Sequence, residues 1–143
     1  MISKSSHFTD NFASILSVLF KGTEVVLSDG ETGCHSSRIA IEANKPVLAG
    51  EGTSPTYSRK IDLLLQYDER KAIDLCSNEW KKVKVTSDLK LKQQSKNMRI
   101  NACILNNLQG TYGGSHSVLA LYVIGLNGYM YKLLRSITAS VLQ

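Results

Sequence analysis

The chain has 143 residues, 43% hydrophobic and 20% charged, enough to bury a core and too apolar for intrinsic disorder. Its 17 basic and 12 acidic residues leave a net charge of +5, a modest excess that points towards a polyanionic partner. Cys34, Cys76 and Cys103 are odd in number and widely spaced, and His7, His35 and His116 are scattered, so neither a disulfide framework nor a zinc knuckle is indicated. The N-terminal stretch interleaves Asp10, Asn11, Ser14 and Ser17 with its apolar positions and lacks a secretory layout, while the most apolar window, 118–134, is broken by Gly125, Asn127 and Gly128. The expectation is an intracellular protein, nuclear or cytoplasmic, not secreted and with no membrane partner, self-association being left open.

In chain order, Phe8, Phe12, Ile15, Leu16 and Leu19 recur at helical spacing behind Thr9 and Asp10, which predicts an amphipathic helix ended by Gly22. Residues 24–28 form a β-rich run closed by the turn signal Asp29-Gly30, with Glu31 beyond it as a further acidic candidate. Residues 33–58 are rich in Gly, Ser, Thr and Asn and contain Pro46 and Pro55, which predicts a long, partly irregular loop around one short apolar piece, 38–43. No glycine or proline interrupts 56–109, so a helical hairpin competes with strands there. Alternation of Val83 and Val85 with Lys82 and Lys84 favours strands, over 60–66 and 73–83. Ser87 is the N-cap candidate of a helix carrying Leu91, Met98, Ala102 and Leu105 and ending before Gly110. Runs 118–124 and 129–134 then flank Asn127-Gly128 as a hairpin. The expectation is one α/β domain over 1–143 with its core at 9–135, truncation at its C-terminal end being left open.

Chemistry concentrates between Arg59 and Lys81. On a strand, Glu79 and Lys81 share a face, and Asp62 joins them from the neighbouring strand. Two carboxylates select a hard cation such as Mg²⁺, and an ammonium beside them suits a site that handles phosphate. Asp74 alternates away from Glu79 and reaches this face only if a bulge shifts the register. The plainer reading of Glu79 and Lys81 is a solvated strand face, with Asp62 in a surface ion pair beside Arg59 and Lys60. Downstream, Lys81, Lys82, Lys84, Lys90, Lys92, Lys96 and Arg99 stand against one acid, Asp88. Lys92 and Lys96 on such a stripe, with Gln93 as a neutral donor, suit contact with a nucleic-acid backbone; a helix of lysines kept for solubility is the bland alternative.

The element order, Asp62 and the run Glu79-Trp80-Lys81 together resemble the PD-(D/E)XK nuclease superfamily, whose core is αβββαβ with an acid on its second strand and (D/E)-x-K on its third. RKIDLLL, IDLCSNEWK and KQQSKNMRINACIL are similar to segments of uncharacterised fungal proteins of that type, a likeness spanning residues 58–131. The resemblance implies a restriction-endonuclease-like core with a mixed central sheet flanked by helices. It also implies Mg²⁺ (or Mn²⁺) held by Asp62 and Glu79 with the Trp80 carbonyl, and Lys81 orienting water or offsetting charge on the phosphate. Its substrate would be nucleic acid, DNA before RNA, and its reaction phosphodiester hydrolysis. The alternative is a catalytically inactive nuclease-like domain that binds nucleic acid or another protein.

Overall fold

A computed structural model describes residues 4–29, 33–48, 61–68, 73–81 and 84–135. In chain order the elements are α1 (Lys4–Leu19), β1 (Val25–Asp29), α2 (His35–Leu48), β2 (Leu63–Tyr67), β3 (Ile73–Lys81), α3 (Ser87–Tyr112), β4 (Ser117–Ile124) and β5 (Asn127–Leu134). The strands form one mixed sheet in the order β1-β2-β3-β4-β5. β1, β2 and β3 are antiparallel neighbours, α3 carries the chain across to β4, which runs parallel to β3, and β5 returns antiparallel. The fold class expected from the sequence, α/β with helices on a mixed sheet, is observed.

Alternation along β3 assigns the two faces. Ser77 and Glu79 meet Asn97, Asn101 and Lys96 of α3, whereas the ring of Trp80 packs on Phe12 of α1 with centroids 5.3 Å apart. α3 and α1 therefore cover opposite faces, and α2 lies against α3. The core between sheet and helices is built from Ile61, Leu63, Leu64, Leu65, Ile100, Ile104, Leu105, Val118 and Ala120, with Phe12 and Leu16 of α1 and Phe20 just after it packed against it. Burying each such aliphatic side chain contributes about 1.5–3 kcal/mol.

Four local expectations are corrected. α1 starts at Lys4, so Thr9 and Asp10 lie within it instead of capping it, and Ile15 and Leu19 point to solvent. The loop expected over 33–58 contains the 14-residue helix α2, while 49–60 fall outside the described residues. Its start is held from a distance as well as locally: Asp74 on β3 accepts hydrogen bonds from the Ser36 backbone N–H (2.7 Å) and Ser36 Oγ (2.8 Å), while Cys34 Sγ accepts from the Ser37 N–H at 3.4 Å. α3 is capped by Thr86, whose Oγ1 accepts from Leu89 N–H, and runs through Gly110 to a C-cap at Gly113 (φ 65°), because a glycine inside a long packed helix costs only about 1 kcal/mol. The last hairpin turns at Gly125-Leu126, with Asn127 paired to Ile124; Gly125 supplies the positive φ (60°) that a two-residue turn needs at its first position.

Candidate active site

β2 and β3 pair Leu63 with Asn78, and continuing that register by one residue sets Asp62 opposite Glu79. Directly opposed residues carry their side chains on one face with Cβ atoms about 5 Å apart. Glu79 is followed two residues on by Lys81, so all three side chains converge at the carboxyl end of β3, where β4 also ends alongside it. The carboxyl ends of strands are where open α/β sheets hold ligands.

The geometry is that of a charged knot. Lys81 Nζ lies 3.0 Å from Glu79 Oε2 and 3.4 Å from Asp62 Oδ2, so the two carboxylate oxygens can be no further apart than the sum of those lengths. A second ammonium, from Lys96 on α3, bonds Glu79 Oε1 at 3.0 Å. The Glu79 side chain is wholly buried, while those of Asp62, Lys81 and Lys96 keep 38%, 21% and 26% of their surface, so the knot opens to solvent on the Asp62 side. Burial opposes the charge on Lys81, but the carboxylates of Glu79 and then Asp62 outweigh it and hold its ammonium above the usual lysine value. Asp62 is fixed by the Trp80 backbone N–H, which donates to Oδ2 at 2.8 Å. In an extended strand the Trp80 carbonyl points the same way as that N–H, towards Asp62. Tyr122 stands across from Glu79 on β4 and donates its hydroxyl to the Lys90 carbonyl at 3.1 Å, walling the site on that side.

Two carboxylates brought to one ammonium are oxygen donors of the kind a hard divalent cation uses, and the Trp80 carbonyl lies on the strand between Glu79 and Lys81. Glu79 Oε2 is a buried carboxylate oxygen with the Lys81 ammonium 3.0 Å away, and with Asp62 it is an oxygen donor of the kind Mg²⁺ or Mn²⁺ takes. Among the described residues no group of three or more His, Cys, Asp or Glu side chains is gathered to hold a metal, so the donor set rests on this pair and the carbonyl.

Asp74 meets the condition attached to it and still lies apart. The register slips between Leu65/Cys76 and Gln66/Asp74, leaving Leu75 as an extra residue on β3, and this bulge turns Asp74 onto the face of Glu79. Five residues along the strand, about 16 Å at 3.3 Å per residue, separate the two. The Asp74 carboxylate is taken up by Ser36, by Gln66 Nε2 (3.0 Å) and by the Cys34 thiol (3.4 Å). Glu31 and Lys82 lie outside the described residues.

Of the three side chains expected to contact a nucleic-acid backbone, Lys92 is exposed on α3, Gln93 has its Oε1 buried without a donor, and Lys96 turns inward to Glu79. The pairing of Lys96 with Glu79 was absent from the sequence reading. Its signal was the i, i+3, i+4 spacing of Gln93, Lys96 and Asn97, one stripe down the face of α3 that packs on β3. Among the described residues no helix is long and apolar enough to cross a membrane. No family model matches this chain, nor does any curated protein or any solved structure.

Proposed function

We propose that this chain is a divalent-metal-dependent nuclease, a nucleic-acid phosphodiester hydrolase built on a restriction-endonuclease-like core. The observation that carries the reading is the convergence of Asp62, Glu79 and Lys81 at the carboxyl end of β3. The element order supports it: α1, β1, β2, β3, α3 and β4 follow an αβββαβ sequence, with α2 inserted after β1 and β5 added at the edge. Asp62 and Glu79 would hold Mg²⁺ or Mn²⁺ with the Trp80 carbonyl. When bound, the cation supplies Lewis acidity that lowers the pKa of a water and offsets phosphoryl charge. Lys81, carried on the strand next to both carboxylates, orients the attacking water and offsets charge as it builds on the phosphate. The Trp80 N–H keeps Asp62 turned into the site, and the burial of Glu79 limits the positions its carboxylate can take. DNA is the first substrate to test because the basic stripe on α3 suits a duplex backbone, with RNA beside it.

One observation favours the second reading, a nuclease-like domain that binds nucleic acid without cutting it: both oxygens of Glu79 already face an ammonium group. Incubating DNA and RNA with wild type, Asp62→Ala, Glu79→Gln and Lys81→Ala in Mg²⁺, Mn²⁺ and EDTA separates the two. Under the hydrolase reading, the carboxylate variants lose cleavage and metal binding together, and Lys81→Ala keeps metal binding while cleavage falls about 10²- to 10³-fold. Activity that survives EDTA, or a Glu79→Gln protein as active as wild type, removes the hydrolase reading. Binding without cleavage in either metal moves the second reading to the front.

A further inference from the structure

We infer that Lys96 sets the divalent-cation affinity of the site by competing with the cation for Glu79, an inference that rests on the metal-dependent reading above. Among the described residues the two carboxylates, Asp62 and Glu79, are matched by two ammoniums, Lys81 and Lys96, before any cation enters. Glu79 contributes most of the pull on a cation because its carboxylate is wholly buried, in surroundings where charge interactions are strong. Lys96 reaches it from a different element than the strand residues do. Its ammonium bonds Oε1 at 3.0 Å while Lys81 lies at 3.0 Å from Oε2, so each Glu79 oxygen is already next to a positive charge. A dication approaching Glu79 meets two ammoniums within the same few ångströms.

Lys96 has somewhere to go. About a quarter of its side-chain surface is open to solvent, and it sits on α3 one helical turn from exposed Lys92 and Arg99. Releasing Glu79 would put its ammonium on the basic stripe, where a phosphodiester would receive it. The cation and the phosphodiester are then taken up together, the anion replacing Glu79 as the partner of Lys96, and metal affinity in the absence of nucleic acid is held low.

Mn²⁺ binding, followed by calorimetry and by electron paramagnetic resonance without nucleic acid, tests this on wild type, Lys96→Gln, Lys96→Arg and Glu79→Gln. Glutamine removes the charge while keeping an amide donor for Glu79 Oε1, which guards the fold, and arginine keeps the charge. Lys96→Gln is expected to bind Mn²⁺ at least about tenfold more tightly than wild type, Lys96→Arg to stay within about twofold of it, and Glu79→Gln to lose binding. A Lys96→Gln protein that binds no more tightly than wild type overturns the inference while leaving the metal reading in place, as does a Lys96→Arg protein that tightens equally. Failure of wild type and both Lys96 variants to bind Mn²⁺ at millimolar concentration overturns the metal reading itself.

Discussion

Cys34 is wholly buried against Asp74, and burial first, then the neighbouring carboxylate, pushes its thiol up to about 12. Cys76 is pushed up to about 11 by burial, partly offset by the Asn78 amide. Neither thiol is a nucleophile at neutral pH, since the thiolate is the reactive form. The sign of the linkage follows from the unfolded chain, where a cysteine ionises near pH 8.5. Both folded values lie above that, so the stabilisation is complete below about pH 8.5 and is lost as pH rises towards the folded values. Between pH 8 and 10 wild type is expected to lose about 2 kcal/mol of stability for each of these thiols, and Cys34→Ala to lose correspondingly less. Urea unfolding of both proteins at the two pH values checks this, and equal losses would show that Cys34 ionises freely in the fold.

β3 is the element on which the site depends, and it leaves its neighbour early. It pairs with β4 only over Glu79, Trp80 and Lys81. Beyond that point three asparagines occupy the gap. Asn101 Oδ1 accepts from the Ser77 N–H (2.8 Å), Asn97 and Asn101 donate to the Ser77 carbonyl (3.0 and 2.9 Å), and Asn78 Oδ1 accepts from the Leu121 N–H (2.9 Å). Tyr131 on β5 joins them through hydrogen bonds with Asn97 and Asn101. Buried backbone groups with no strand beside them need such partners, and leaving one unmet costs about 1–3 kcal/mol. Asn101→Ala leaves the Ser77 N–H unmet while its carbonyl keeps the Asn97 amide, so a loss of about 1–3 kcal/mol is expected by urea unfolding. A change under about 1 kcal/mol would mean that water replaces the amide and that the gap is not held by Asn101. Because the gap ends where the site begins, the same substitution is expected to loosen the position of Glu79.

Across the whole molecule, charge lies unevenly. Lys92 and Arg99 are exposed on one side of α3, the helix that also brings Lys96 to Glu79, so the basic stripe and the charged knot share an element. If a nucleic-acid backbone follows that stripe, affinity falls steeply with salt as counterions are released. Replacing Lys92 and Arg99 together by alanine is expected to flatten the slope of log affinity against log salt by about one to two units while leaving Mn²⁺ binding unaltered. Fluorescence anisotropy across a salt series reads the slope, and an unchanged slope would place the contact on another surface.

What the chain determined by itself is local. Alternation of side chains, the charge pattern and the spacing of Glu79 and Lys81 were enough to predict a strand over 73–83, described as Ile73–Lys81, a neighbouring strand over 60–66, found at Leu63–Tyr67 with Asp62 just ahead of it, and a long helix between β3 and β4, because each element shows in its own period. Gly22 and Asn127-Gly128 likewise marked the end of α1 and the closing hairpin, with boundaries shifted by a few residues where capping and packing, not propensity, decide. The helix α2 was hidden because a capping acceptor at its start, Asp74, lies 38 residues from Ser36, and Asp74 reaches it only through a bulge that Leu75 creates in pairing with β2. Lys96 read as part of a solvated stripe because the sequence shows its charge and not the buried carboxylate it meets. That pairing exists only once α3 is packed across β3, where desolvation makes an unpaired Glu79 too costly to leave.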